Sequence, residues 1–199
     1  IYKWLIDNDK YYNFCISYKD YETYKKDGAN VDKLLVCPNG AQHRDYHFTE
    51  KPLKPSWTLY LGRIEPRKRQ YLYQDIYGVE FVGKYTDTTS FDRNKDCYLG
   101  QWEHEYKLQH VTDYGNMMLL SDGENGTPLV IKEALVAGLG VVVSKYAAHD
   151  LDTSLPFVTV IPDDKWEDIE YVQMKLIENR KISVTMRKEI RQYLSLIHI

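Results

Sequence analysis

Apolar residues along this 199-residue chain fall into short continuous runs, and the stretches between them are polar or helix-patterned. The first part reads as a strand at Asn13 to Ser17, a charged helix at about Lys19 to Lys26, and a strand at Lys33 to Cys37. That strand stops at Pro38-Asn39-Gly40, a strong turn signal. His43 to Ser56 is polar, holds Pro52 and Pro55, and has the composition of a linker. The texture then changes. Strands are predicted at Trp57 to Leu61, Val79 to Val82, Tyr98-Leu99, Asn116 to Leu120, Gly140 to Ser144 and Phe157 to Ile161. Helices are predicted at about 67–76, 102–110, 128–137, 165–178 and 183–194, with a polar loop over 84–96.

Strands alternating with helices imply right-handed β-α-β units and a parallel sheet. Short apolar runs without alternation fit strands covered on both faces. The expected fold class is therefore α/β, a Rossmann-like parallel sheet with helices on both faces. The expected domains are residues 1–50 as a fragment of one domain and its linker, 51–194 as the Rossmann-like domain, and 195–199 as a tail. The chain begins at Ile1 and its last residues leave the charged pattern before them, so it reads as a fragment at both ends. In such sheets ligands bind beyond the carboxyl ends of the strands. The loops after Leu61, Val82, Leu99, Leu120 and Val143 are where chemistry is expected.

Composition narrows the picture. With 43% hydrophobic and 28% charged residues the chain can bury a real core. Its net charge of -3 argues against a general nucleic-acid binder, which carries a basic face. The 18 tyrosines show no period and read as compositional habit. The apolar run Ala134 to Val143 is too short to span a bilayer and is broken by Gly138 and Gly140, and no signal peptide is visible. Cys15, Cys37 and Cys97 lack metal spacing and fit reduced thiols in the cytosol. His43 and His47 have a metal-binding separation but sit in a turn-rich segment with no third ligand nearby, so no metal is expected.

Two stretches carry candidate chemistry. Gly62-Arg63-Ile64-Glu65-Pro66-Arg67-Lys68-Arg69 follows a strand and is expected to open a helix. Gly62 permits a tight turn, and the cations suit a diphosphate, Arg as a planar fork and Lys as a point charge. Cations at a helix start oppose the macrodipole, which suggests an anion bound there. The second stretch runs from Leu119 to Ser144. Thr127 is a good N-cap and Pro128 suits the first helical position. The free N–H groups of Leu129 and Val130 would then face the crevice. Glu133, among apolar neighbours, could accept bonds from a ribose cis-diol. Glu124, in the loop before, could reach a sugar hydroxyl.

These residues, with Tyr98-Leu99-Gly100, Glu133-Ala134, Gly138 and the Val36-Cys37-Pro38-Asn39-Gly40 turn, resemble the retaining glycosyltransferases of family 4, which have the GT-B fold. The similarity covers roughly residues 13 to 180. It implies the C-terminal, donor-binding half of such an enzyme with a piece of the N-terminal, acceptor half. By that resemblance Arg63 and Lys68 bind and stabilise the departing diphosphate, Glu133 holds the ribose and Glu124 contacts the donor sugar. Backbone N–H groups near Thr127, Pro128 and Leu129 serve the sugar or phosphate, and Gly100, Gln101 and Trp102 border the base. For Trp102, base stacking and packing both stay open. The family has seven residues between its two glutamates; here Glu124 and Glu133 enclose eight and Asn125 takes the strict position. Either the loop is one residue longer or Asn125 makes the sugar contact. The family's Lys-Gly pair is Lys68-Arg69 here.

The function so implied is transfer of a sugar, with retention and no required cofactor or metal, from a UDP- or GDP-linked donor to a glycan, lipid or protein acceptor. The location would be the cytoplasm, at a membrane surface where the acceptor is a lipid. Other readings are a degenerate or incomplete domain that binds nucleotide or a protein partner without catalysis, a sugar-nucleotide epimerase and a phosphorylase.

Overall fold

The computed structural model describes residues 10–87, 89–124 and 126–197, the last three as backbone only. Two parallel sheets are present. The smaller pairs β1 (Asn13–Cys15) with β2 (Leu34–Val36), joined by α1 (Tyr18–Lys26). Ser17 caps α1 by accepting from the Asp20 N–H at 3.1 Å. Cys15, Ala29 and Leu34 form the small core of this unit.

The larger sheet has five strands: β3 (Lys54–Leu61), β4 (Val79–Val82), β5 (Tyr114–Leu119), β6 (Gly140–Ser144) and β7 (Val158–Ile161). Their order is β4-β3-β5-β6-β7, all parallel. Every residue of β4, β5 and β6 is buried, which only a sheet covered on both faces allows. The helices are α2 (His104–His110), α3 (Leu129–Val136), α4 (Ile169–Thr185) and α5 (Arg187–Ile197). On α4 the buried positions Val172, Leu176, Asn179 and Ser183 form one stripe at helical spacing. That stripe is half polar, and each polar member has partners. The Asn179 amide reaches Asn116 and the Val141 and Phe157 carbonyls, and Ser183 takes the Gly140 N–H at 2.7 Å and donates to the Gly115 carbonyl at 2.6 Å. Gly138 ends α3 at φ 84, and a Cβ there would lie 2.7 Å from the Phe48 ring.

Several elements differ from the sequence expectation. Residues 67–76 do not form an α-helix. They make two 3₁₀ turns, Pro66–Lys68 and Gln70–Tyr73, broken by Arg69 in the left-handed region. Tyr98-Leu99 is not a strand but a single bridge from Tyr98 to Phe81 at the outer edge of β4. The strand after the linker starts at Lys54, inside the stretch read as linker; at a bulge β3 advances four positions, from Lys54 to Thr58, while β5 advances two, from Tyr114 to Asn116. The linker itself is fixed: the His47 N–H donates to the Leu108 carbonyl at 2.9 Å and Tyr46 is buried. Both closing helices run further than expected, and α5 takes in part of the tail, to Ile197. No described helix is long and apolar enough to cross a membrane.

Candidate functional site

Along the chain β3 is followed by β4 on one side and, after it, β5 on the other. The sheet order therefore reverses at β3, and the crevice at the carboxyl ends of β3 and β5 is the topological switch point where ligands bind in such sheets. Gly62 and Arg63 leave β3 there, and Ser121 to Glu124 leave β5.

Tyr60, fully buried in β3, joins the two loops. Its hydroxyl accepts the Leu120 N–H at 3.1 Å and donates to the Lys68 carbonyl. Burial holds this phenol well above the ordinary tyrosine range, so it stays protonated and keeps that donor. The loops are tied again where the Asp122 N–H donates to the Arg67 carbonyl at 3.0 Å and Arg67 returns a bond to the Asp122 carbonyl at 3.1 Å.

The cations here have unequal surroundings. Arg67 is committed to acids, 3.0 Å from Glu65 and 3.0 Å from Glu124. Arg63 is 64% exposed and only 4.0 Å from Glu65, so its guanidinium is open to a ligand. Lys68 is half-buried and lies against Gly62: a Cβ at Gly62 would sit 3.1 Å from its Nζ. Among the described residues no carboxylate comes within ion-pair distance of Lys68. Burial pulls its ammonium below the usual lysine range, an effect that the charges of Glu124 and Glu65 partly offset. A desolvated, unpaired cation over a side-chain-free strand end is an anion-binding arrangement. No α-helix starts here, so no helix macrodipole opposes these cations, contrary to the sequence expectation. The anion reading rests on the desolvated lysine.

Gly83 brings a third loop in. It has φ 153, and a Cβ on it would stand 1.9 Å from the Gly62 carbonyl oxygen, so the ends of β3 and β4 touch backbone to backbone. The Gly83 N–H donates to the Gly100 carbonyl at 2.9 Å, which places Gly100 and exposed Gln101 at the edge of the crevice. Trp102 turns onto other rings, Tyr106 at 5.1 Å and Tyr114 at 6.2 Å between centroids, and so packs α2 against the sheet.

Thr127 does not cap α3. Its hydroxyl accepts the Asp150 N–H at 3.0 Å, and its own N–H donates to the Asp150 carboxylate at 3.1 Å. This reciprocal pair ties the loop after β5 to the loop after β6, and Pro128 stands at the cap position with no side-chain bond. Leu129 is 48% exposed at the first turn. Glu133 is half-buried in a separate group: it pairs with Lys107 of α2 at 2.7 Å and faces the Tyr46 hydroxyl. Asn125 lies outside the described residues. The structure therefore gathers Gly62, Arg63, Lys68 and Glu124 around one crevice, with Gly100 at its edge. Asp150, Lys107, Tyr46 and Tyr60 had not been singled out from the sequence. Their contacts with Thr127, Glu133 and Leu120 cross 23 or more residues of chain, which local spacing cannot reveal.

No protein-family model and no curated protein matches this sequence. Solved structures do. Anabaena HepE in complex with UDP-glucose superposes with a TM-score of 0.68 at 15% identity, covering 92% of this chain and 58% of that one. The fold is GT-B. Sucrose-phosphate synthase from Thermosynechococcus elongatus matches over 99% of this chain and 59% of its own, with a TM-score of 0.67 and 14% identity. WaaG, a glycosyltransferase involved in lipopolysaccharide biosynthesis, gives a TM-score of 0.63 at 14% identity, over 92% of this chain and 58% of that one. The chain thus spans less than two thirds of the length of these neighbours, and the five-stranded unit is the Rossmann-like domain they share with it.

Proposed function

We propose that this chain carries the donor-binding domain of a glycosyltransferase, which moves a sugar from a nucleoside diphosphate sugar to an acceptor with retention at the anomeric carbon, in the manner of family 4. One observation carries the reading. The Lys68 ammonium is held over Gly62 at the switch point, partly stripped of water and paired with no carboxylate among the described residues. A diphosphate, dianionic or more, is the ligand that repays that arrangement, and Arg63 beside it offers a planar fork. In the reaction, charge grows on the diphosphate as the bond to the sugar breaks. Cations already in place stabilise that charge without reorganising, and this is the main catalytic effect proposed.

In this scheme Arg63 and Lys68 hold the diphosphate and Glu124, kept in place by Arg67, meets the donor sugar. The N–H groups that open α3 at Leu129, after Thr127 and Pro128, serve sugar or phosphate. Glu133, held by Lys107, serves the ribose. Gly62 permits the tight turn beneath Lys68 at the diphosphate, Gly100 and Gln101 border the base, and Asn125 follows Glu124 in the sequence of the sugar loop. Residues 1–50 belong to the acceptor side and 51–194 to the donor side. HepE, which is seen with UDP-glucose and with UDP, supports a uridine nucleotide as the donor to try first.

The test is a calorimetric titration with UDP-, GDP- and ADP-sugars and the free diphosphates. Saturable binding of one nucleotide series, lost in Lys68→Ala, is the expected result. Absence of binding by every diphosphate overturns the reading.

A further inference from the structure

Arg69 is the one residue other than glycine with a positive φ among the described residues, at φ 55 and ψ 19. That region costs an L-residue conformational energy that glycine escapes. The position is next to Lys68 and divides the two 3₁₀ turns. The Arg69 side chain is not spent on solvent. It is 15% exposed, its guanidinium lies 4.0 Å from the centroid of Trp166, and its Nη2 is 3.5 Å from the Asp122 carboxylate. Trp166 belongs to the loop after β7, and its carbonyl takes the Tyr73 hydroxyl at 2.8 Å. One side chain therefore joins the loop after β3, the loop after β5 and the loop after β7.

We propose that Arg69 is a positioning residue: a clamp that holds the strained turn and so keeps the Lys68 ammonium over Gly62. The proposal rests on the donor-site reading above. Its logic is a balance. Glycine would relieve the backbone but remove both the cation–π contact and the ion pair. Lysine would keep a charge for Asp122 but lose the planar face on Trp166. The turn is also fastened without Arg69, through Tyr60 to the Lys68 carbonyl and through Gln70 to the Arg63 carbonyl at 2.9 Å, so the fold survives its loss. What is lost is the orientation of Lys68.

The experiment compares wild type, Arg69→Gly, Arg69→Lys and Trp166→Leu in the full chain. Three readouts are taken: UDP affinity, melting temperature, and the rate at which acetic anhydride modifies Lys68, followed by mass spectrometry. Arg69→Gly is expected to bind UDP about tenfold more weakly, to melt close to wild type, and to expose Lys68 to faster acetylation. Arg69→Lys and Trp166→Leu should fall between. The clamp is overturned if Arg69→Gly binds UDP within about twofold of wild type with Lys68 acetylated at the same rate. It is equally overturned if affinity falls only in step with melting temperature across all variants. Should the wild type bind no UDP, the donor-site reading fails, and the acetylation rate alone decides whether Arg69 holds Lys68.

Discussion

Lys68 sits where burial and function pull against each other. The free domain disfavours its charge, while a bound diphosphate needs it. The sign follows from that. The folded value lies below the ordinary 10.5, so ionised Lys68 costs the fold some stability at neutral pH, and that cost fades as pH rises through the lowered value. UDP affinity runs the other way: it should fall as pH rises through the same window, before ordinary lysines titrate. Lys68→Arg should flatten that dependence, and calorimetry across pH 7 to 10 checks it. Arg63→Ala should weaken UDP binding by about 1.5–3 kcal/mol, the worth of a charge-assisted bond. An unchanged dissociation constant would remove Arg63 from the site. At this scale Arg63 and Lys68 could be picked out as candidates from the sequence, because adjacent cations after an apolar run and a glycine are visible in one dimension. Thr127 misled it. A threonine before proline has the look of a cap, yet the side chain is taken by Asp150, and nothing near Thr127 announces a partner 23 residues on.

Among the elements, the fully buried strands were legible, while the Tyr98-Leu99 bridge, the start of β3 and the segment after it were not. Continuous apolar runs such as Val79–Val82 and Gly140–Ser144 match the observed strands to the residue, since full burial leaves no other pattern. Residues 67–76 contain good helix formers, but the Arg69 backbone breaks the turn, and tertiary contacts outweigh propensity there. The junction of β3 and β4 gives a direct test. Gly83→Ala must push its Cβ off the Gly62 carbonyl, which stands 1.9 Å away. A loss of roughly 1–3 kcal/mol in urea unfolding is expected, as for an overpacked core, together with weaker UDP binding through the displaced Gly62. The start of α5 gives another. Arg187 is 2% exposed and donates to the carbonyls of Thr49, Thr112, Tyr114 and Ala137, and burial draws its pKa down to about 10. Arg187→Leu leaves those acceptors bare, and a loss of roughly 3–5 kcal/mol in the same measurement is expected.

For the whole molecule, alternating strands and helices imply a parallel sheet with ligands beyond the carboxyl ends of its strands, and that much was readable in the sequence; the strand order and the reversal at β3, which single out one crevice, come from the structure. Which loops meet across it was not readable either, because contacts between the loops after β3, β5 and β7 are set by three-dimensional packing alone. The chain spans about 58% of the HepE and WaaG chains, and on the other side of the linker the described residues supply one β-α-β unit. UDP at a hundredfold excess over its dissociation constant should raise the melting temperature by roughly 5–10 °C, without sugar transfer to added acceptors. The arginines of α5 have a kinetic consequence. Arg187 and Arg191 together hold the carbonyls of His43, Tyr46 and Thr49, so the stretch between the two sheets is sealed by the last helix of the chain. Trypsin should then find Arg44 only after α5 has come away, and cleavage there would report a global opening event rather than the wagging of a tether.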